Sequence, residues 1–144
     1  GRTLSVAESC TGGLVSNRIT NVPGSSAVLL EGCVTYSNQA KTTRLGVSPK
    51  TLAAYGAVST QTALEMAEGI RNTSKSDIGI ATTGIAGPGG GSPQKPIGLV
   101  HIAIADQDGA RAKELHLDGD RMLIKNGSAM RLLNWLRLYL LSLK

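Results

Sequence analysis

The chain carries a strand-to-helix corner at Ser5-Val6-Ala7-Glu8-Ser9-Cys10-Thr11-Gly12-Gly13. An apolar strand pattern ends at Glu8-Ser9, the glycine pair follows, and a helical pattern begins at Leu14. The free N–H groups and the positive dipole end of such a helix suit an anion or a developing oxyanion. Ser9 is therefore a candidate nucleophile, a candidate phosphate ligand or a helix cap.

Beyond this corner, strand and helix patterns alternate and then end in a hairpin and a long helix, which predicts an α/β fold. We expect a mixed sheet with helices on both faces, in a single domain over residues 1–144. The run VLLEGCVTY at 28–36 is predicted to be a central strand. Other strands are expected at 3–8, 77–82, 97–105 and 110–117, and helices at 11–21, 38–45, 59–70, after Ser48-Pro49 and from Asp120 onward.

The composition fits a globular domain with an aliphatic core, because 41% of the 144 residues are hydrophobic and Phe is absent. The net charge of +5 permits phosphorylated partners, but the basic residues are scattered and aromatic stacking residues are few, which argues against nucleic-acid binding. Two cysteines and two histidines without ligand spacing predict neither a disulfide framework nor a metal site.

The location and the chain start give two further expectations. No signal peptide is present and no apolar run reaches the roughly 18 residues that span a membrane, so we expect a cytoplasmic protein without membrane contact. The chain begins at Gly1 shortly before its first strand, so we expect that an N-terminal helix is missing.

A long glycine- and proline-rich loop is predicted over residues 83–96, after a buried strand. Its hydroxyls and backbone N–H groups could bind a phosphate, although no Walker motif is present and a plain mobile loop explains the glycines equally well. In open α/β sheets, ligands bind at the carboxyl ends of the parallel strands. We therefore expect this loop to meet the Ser9 corner.

A serine nucleophile needs a base, and the two histidines are poor candidates for it. His101 and His116 both fall on the predicted hairpin strands, where each is expected to be a face residue of the sheet. Lysine can act instead if burial lowers its pKa. Lys41 and Tyr36 could project toward the same sheet edge as Ser9, but a solvated helix lysine and a half-buried strand tyrosine are the simpler interpretations.

Two further side chains could carry chemistry at this edge. Cys10 is a rival nucleophile at the same positive helix end, although adjacent residues at such a corner point apart. Cys33 lies inside a strand pattern and is expected to be inert core. Arg121 begins a helix, where it could bind a phosphate or carboxylate or form an ion pair with Asp118 or Asp120.

Taken together, five motifs resemble the CinA C-terminal domain family. They occur in the family's order and cover nearly the whole chain: Ala7-Glu8-Ser9-Cys10-Thr11-Gly12-Gly13, Tyr36-Ser37-Asn38 with Lys41, Thr83-Gly84-Ile85-Ala86-Gly87-Pro88-Gly89-Gly90, Lys95-Pro96-Ile97-Gly98 and Gly119-Asp120-Arg121. The resemblance implies a three-layer α/β/α fold that is commonly dimeric. It also implies a nicotinamide-nucleotide amidase, or NMN deamidase, which hydrolyses nicotinamide mononucleotide to nicotinate mononucleotide and ammonia without metal or cofactor.

The resemblance also implies roles for individual residues. Ser9 matches the nucleophile, and Tyr36 and Lys41 match positions that activate it. Substrate-binding positions are expected around them, with backbone N–H groups for the oxyanion and the glycine loop for the phosphate, at Cys10, Thr11, Gly12, Gly13, Thr83, Gly84, Gly87 and Arg121. The chain departs from the family pattern at Gln94, at Lys125 and in its lack of Phe, and none of these departures removes a proposed catalytic residue.

Two other functions stay open from the sequence. The same loops could form a non-catalytic nucleotide-binding module in which Ser9 is a phosphate ligand. The basic pI of about 9.5 and the competence-linked name of the family also allow a nucleic-acid accessory role in competence or DNA damage. The substrate range, the oligomeric state and the presence of a fused CinA N-terminal domain are not predicted by the sequence.

Overall fold

A computed structural model describes residues 1–143, and over this range the chain forms one five-stranded sheet between two layers of helices. The strands are β1 (Leu4–Glu8), β2 (Leu29–Val34), β3 (Ile78–Gly84), β4 (Leu99–Asp106) and β5 (Gly109–His116). The helices are α1 (Leu14–Thr20), α2 (Asn38–Leu45), α3 (Pro49–Tyr55), α4 (Thr60–Ser74) and α5 (Arg121–Ser142). This is the predicted three-layer α/β/α sandwich.

The sheet is mixed, with strand order β2-β1-β3-β4-β5. β1 pairs in parallel with β2 and β3, whereas β4 is antiparallel to β3 and β5. The prediction that β2 is central was wrong, because β2 has a single neighbour and lies at the edge. Its apolar run does not bury both faces: Leu30 and Val34 are about half exposed, at 48% and 47%.

The two faces of the sheet carry side chains of different size. Large aliphatic residues such as Val6, Ile80 and Ile102 face α1 and α5. Small residues such as Ala81 face α2 and α4 on the other side. At Gly79 an added Cβ would lie 2.2 Å from the Ala67 carbonyl oxygen, so α4 contacts the sheet backbone closely.

Four helices begin at a capping side chain, and Ser48 among them was predicted as a cap. The side chains of Ser37, Ser48, Ser59 and Asp120 each accept a hydrogen bond from a backbone N–H in the first turn of their helix. α1 begins at Leu14, later than the predicted start at residue 11, because Gly12 and Gly13 have positive φ and form a turn. Across residues 1–143, no helix combines the length and the apolar character that a membrane crossing requires.

Candidate active site

Ser9 directly follows β1, at the carboxyl end of the parallel strands. Its hydroxyl oxygen lies 3.1 Å from the Nζ atom of Lys41, which is in the first turn of α2. Along β1 the side chains alternate between faces, so Ser9 shares the α2 face with Ala7. The cap at Ser37 sets where α2 begins, and the start of α2 in turn places Lys41 on this face of the sheet.

Lys41 is buried, with only 1% of its surface exposed. Within residues 1–143 it forms no salt bridge with a carboxylate, so no anion compensates for its desolvation. Burial therefore lowers the pKa of the Lys41 amine, and the negative charge of an ionised Cys10 would act in the opposite direction. A solvated helix lysine, the simpler interpretation of the sequence, is excluded by this position.

Lys41 Nζ contacts three oxygen atoms, which match the three N–H groups of an ammonium or the two N–H groups and the lone pair of a neutral amine. Besides Ser9 Oγ, the Nζ atom lies 2.8 Å from the Thr35 carbonyl oxygen and 3.3 Å from the Tyr36 carbonyl oxygen. Carbonyl oxygens only accept, so they take the two N–H groups of a neutral amine. In this neutral form, which burial favours, the remaining lone pair faces the Ser9 hydroxyl, as a general base requires.

Cys10 points away from this pair. It is 6% exposed and packs into the aliphatic core on the α1 and α5 side of the sheet. Burial raises the pKa of its thiol to about 12, so the thiolate is disfavoured near neutral pH. The hydroxyl of Ser9, and not this thiol, contacts the buried lysine.

Glu8 holds the turn that follows Ser9. Its carboxylate is fully buried and accepts five hydrogen bonds. The donors are the backbone N–H groups of Gly13, Val15 and Ser16 and the hydroxyls of Thr11 and Ser16, at 2.5–3.1 Å. The carboxylate thus satisfies the first N–H groups of α1 and compensates for the positive end of its dipole.

Few backbone donors of the turn are left for an oxyanion. The Gly12 N–H donates to the Ser9 carbonyl at 3.0 Å, and the Gly13 N–H donates to Glu8. The Thr11 side chain is buried and bonds to Glu8 and Thr82, so it does not face the Ser9 hydroxyl. Within residues 1–143, the N–H groups of Cys10 and Thr11 have no oxygen acceptor and are the donors that remain beside Ser9.

The predicted glycine-rich loop, residues 85–98 in the structure, begins beside the Ser9 corner. Thr83 is buried at the end of β3, and its hydroxyl donates to the Ala57 carbonyl at 2.7 Å. An added Cβ at Gly84 would lie within 3 Å of Val100, so the strands approach closely there. Gly87 adopts φ +78°, and its carbonyl oxygen accepts a hydrogen bond from Arg121.

Arg121, at the start of α5, contacts both the glycine-rich loop and Tyr36 at the edge of the site. Its guanidinium donates to the Gly87 carbonyl at 2.7 Å and to the Tyr36 hydroxyl at 3.2 Å. The expected alternative, an ion pair with Asp118 or Asp120, is not formed. Tyr36 is 60% exposed, and it contacts Lys41 through its carbonyl and not through its hydroxyl.

The histidines lie further along the same face of the sheet. His101 is the cross-strand partner of Thr83, and its Nδ1 atom forms a hydrogen bond of 3.2 Å with the Thr60 hydroxyl. Together with His116 it lines a cavity of about 300 Å³. No group of three or more His, Cys, Asp or Glu residues in the described part of the chain could hold a metal ion. A larger apolar cavity of about 450 Å³ lies near Leu4, at the opposite end of β1 from Ser9.

Sequence reasoning missed two residues of this site. Glu8 was treated only as the last residue of a strand, although an acidic residue beside a helix start is a recognisable dipole partner. Thr35 gave no signal, because a threonine at a strand end is ordinary. Its carbonyl contact to Lys41 depends on where α2 begins, which only the folded chain defines.

Comparisons with known proteins agree with this fold. The family model described as the CinA C-terminal domain matches residues 1–140, so the chain belongs to that family. A CinA-like protein from Kosmotoga olearia is 52% identical over 143 residues, which are 99% of this chain and 35% of that protein. A competence-damage inducible relative from Clostridium novyi is 54% identical over 135 residues, covering 94% of this chain and 33% of its own length.

A solved structure has a closely similar fold. The competence/damage inducible protein CihA from Agrobacterium tumefaciens superposes with a TM-score of 0.93 at 46% identity, over 96% of this chain and 85% of that one. These names refer to competence and damage induction and not to an enzymatic reaction. The chain spans about a third of the length of the curated relatives that it matches.

Proposed function

We propose that this domain hydrolyses the carboxamide of nicotinamide mononucleotide to nicotinate mononucleotide and ammonia. The observation that carries the proposal is the contact between the Ser9 hydroxyl and the buried Lys41 amine at 3.1 Å. Lys41 has carbonyl partners and no carboxylate partner, which favours a neutral amine and therefore a base. The substrate itself is inferred from family membership, whose motifs this chain carries.

The proposed chemistry is acyl transfer through a serine ester. Lys41 takes the Ser9 proton while Ser9 Oγ forms a bond to the carboxamide carbon. The N–H groups of Cys10 and Thr11 are the candidate donors to the oxyanion, and one good donor of this kind contributes about 3–4 kcal/mol to the transition state. The nitrogen then leaves as ammonia with the proton from Lys41. Water next attacks the ester, Lys41 takes its proton, and Ser9 is regenerated.

The phosphate of the substrate is proposed to bind at the open edge of the site. Arg121 and the loop at Gly87 lie at the open edge beside Tyr36, where a phosphate could replace the present contacts of the guanidinium. We further propose a cytoplasmic homodimer that needs no cofactor. Both cysteines are free thiols, which fits a reducing compartment.

A direct assay tests the proposal. Purified protein is incubated with nicotinamide mononucleotide, and released ammonia and nicotinate mononucleotide are quantified against Ser9→Ala. Tight nucleotide binding without ammonia release would favour the non-catalytic binding module instead. Steeply salt-dependent DNA binding without turnover would favour the accessory role.

A further inference from the structure

The hydroxyl of Thr35 makes no hydrogen bond within the described part of the resting protein. The residue is 2% exposed, and within residues 1–143 its Oγ1 atom is buried without a hydrogen-bond partner. A buried hydroxyl without a partner costs free energy, whereas valine would fill the same space without that cost. An unsatisfied buried group in a native protein calls for an explanation, and a catalytic role is one of those recognised.

Thr35 contacts Lys41 and bonds to the residue that precedes Ser9. It follows β2, its N–H donates to the Glu8 carbonyl at 2.9 Å, and its own carbonyl accepts from Lys41 Nζ at 2.8 Å. Side chains alternate along a strand, so Thr35 lies on the face of Cys33, which packs on the α2 and α4 side. Ser9 lies on that same face of the neighbouring strand.

The hydrogen bonds of Lys41 change during the proposed reaction. A neutral amine has two N–H groups and one lone pair, which match the carbonyls of Thr35 and Tyr36 and the hydroxyl of Ser9. After proton transfer, Lys41 is an ammonium with three N–H groups and no lone pair. Ser9 Oγ is by then bonded to the substrate carbon and is a poor acceptor. One N–H of the ammonium therefore lacks a partner.

We propose that the Thr35 hydroxyl accepts this third N–H and holds the Lys41 ammonium until its proton is passed on. The proton comes from Ser9, stays on Lys41 and leaves on the departing nitrogen; in the second half-reaction it comes from water and returns to Ser9. Thr35 is thus a positioning residue that acts through Lys41 and does not touch the substrate. The inference rests on the proposed function for the identity of the Ser9–Lys41 chemistry.

Two matched variants test this role. Thr35→Val removes the hydroxyl but keeps the shape, and Thr35→Ser keeps the hydroxyl. Turnover is measured as ammonia release from nicotinamide mononucleotide and, independently, as acylation of Ser9 by p-nitrophenyl acetate. We expect Thr35→Val to lower kcat about tenfold, the equivalent of one hydrogen bond, with KM unchanged. Thr35→Ser is expected to retain most of the activity.

Thermal unfolding separates this role from a merely structural one. Because Oγ1 has no partner in the resting protein, Thr35→Val is expected to be as stable as the parent chain or more stable. An unchanged kcat in Thr35→Val, or a lower Tm that accompanies lost activity, would overturn the proposal.

The two reactions separate failure of this inference from failure of the proposed function. Ester acylation that depends on Thr35, without ammonia release, would keep the role of Thr35 and reject the substrate. Full reactivity of Thr35→Val in both reactions would reject Thr35 alone. Absence of both reactions in the parent chain would reject the two proposals together.

Discussion

Lys41 Nζ lies 3.1 Å from Ser9 Oγ, although 32 positions separate the two residues in the chain. The parallel pairing of β1 with β2 brings them together, because α2 starts four residues after β2 ends and turns back over the sheet. No acidic residue or histidine takes part in the contact. The relationship makes a serine–lysine pair the centre of the candidate site.

Activity should depend on the neutral form of Lys41. The neutral amine is the base, so kcat/KM is expected to rise with pH through the pKa of Lys41 and to level off above it. Burial lowers that pKa, so the midpoint should fall below the ordinary lysine value. The measurement is ammonia release across pH with a stability check at each point; a midpoint at or above the ordinary lysine value would contradict the prediction.

Substitution of Lys41 gives a second test of the base. Lys41→Met removes the amine and should lower kcat by about 100-fold or more, the usual contribution of a general base. Lys41→Arg should be nearly as inactive, because a guanidinium stays protonated. Lys50, an exposed lysine in the first turn of α3, supplies the matched control as Lys50→Met. If Lys41→Arg kept the parent rate, Lys41 would not be the base.

Glu8 should be needed for both stability and rate. In Glu8→Gln the amide nitrogen cannot accept, so at least one N–H donor of α1 faces another donor. A loss of about 1–3 kcal/mol in the free energy of unfolding is expected, together with a lower kcat. Denaturant unfolding and ammonia release measure the two effects. Unchanged stability in this variant would show that the carboxylate does not hold the turn.

Substitution of Arg121 should affect KM, whereas substitution of Tyr36 should have little effect on kcat. Arg121→Met removes the guanidinium proposed to bind the phosphate, so KM for nicotinamide mononucleotide should rise about tenfold or more. Tyr36→Phe loses one exposed hydrogen bond to Arg121 and should change kcat less than threefold. Steady-state kinetics of the two variants check both expectations. A large loss of kcat in Tyr36→Phe would mean that its hydroxyl moves onto Ser9 during turnover.

Local sequence signals were enough to predict most of the fold. Strand and helix patterns predicted every strand and a mixed sheet with helices on both faces, and the Ser48-Pro49 pair predicted the start of α3. The order of strands was not predictable in the same way, because the apolar run of β2 resembles a central strand. Whether a strand lies at the edge or in the centre of a sheet depends on which strands pair with it. This pairing is a property of the tertiary structure.

In the candidate site, too, the sequence predicted individual residues but not their contacts. Ser9 and Lys41 were proposed from motif positions, but their contact depends on the packing of α2 over β2. The rivalry between Ser9 and Cys10 could not be resolved without knowing which face of the sheet each side chain occupies. Thr35 could not be predicted from the sequence, because its distinguishing feature is a buried hydroxyl without a hydrogen-bond partner. Only a folded structure reveals this feature.

The most direct test of the central claim is ammonia release from nicotinamide mononucleotide by Ser9→Ala, with Cys10→Ala measured beside it. Both variants are first checked by thermal unfolding. We expect Ser9→Ala to lose activity by about 1,000-fold or more while it stays folded, because the nucleophile itself is removed. Cys10→Ala, a core truncation, should keep most of its activity. Full ammonia release by folded Ser9→Ala, or its loss in folded Cys10→Ala alone, would contradict the account.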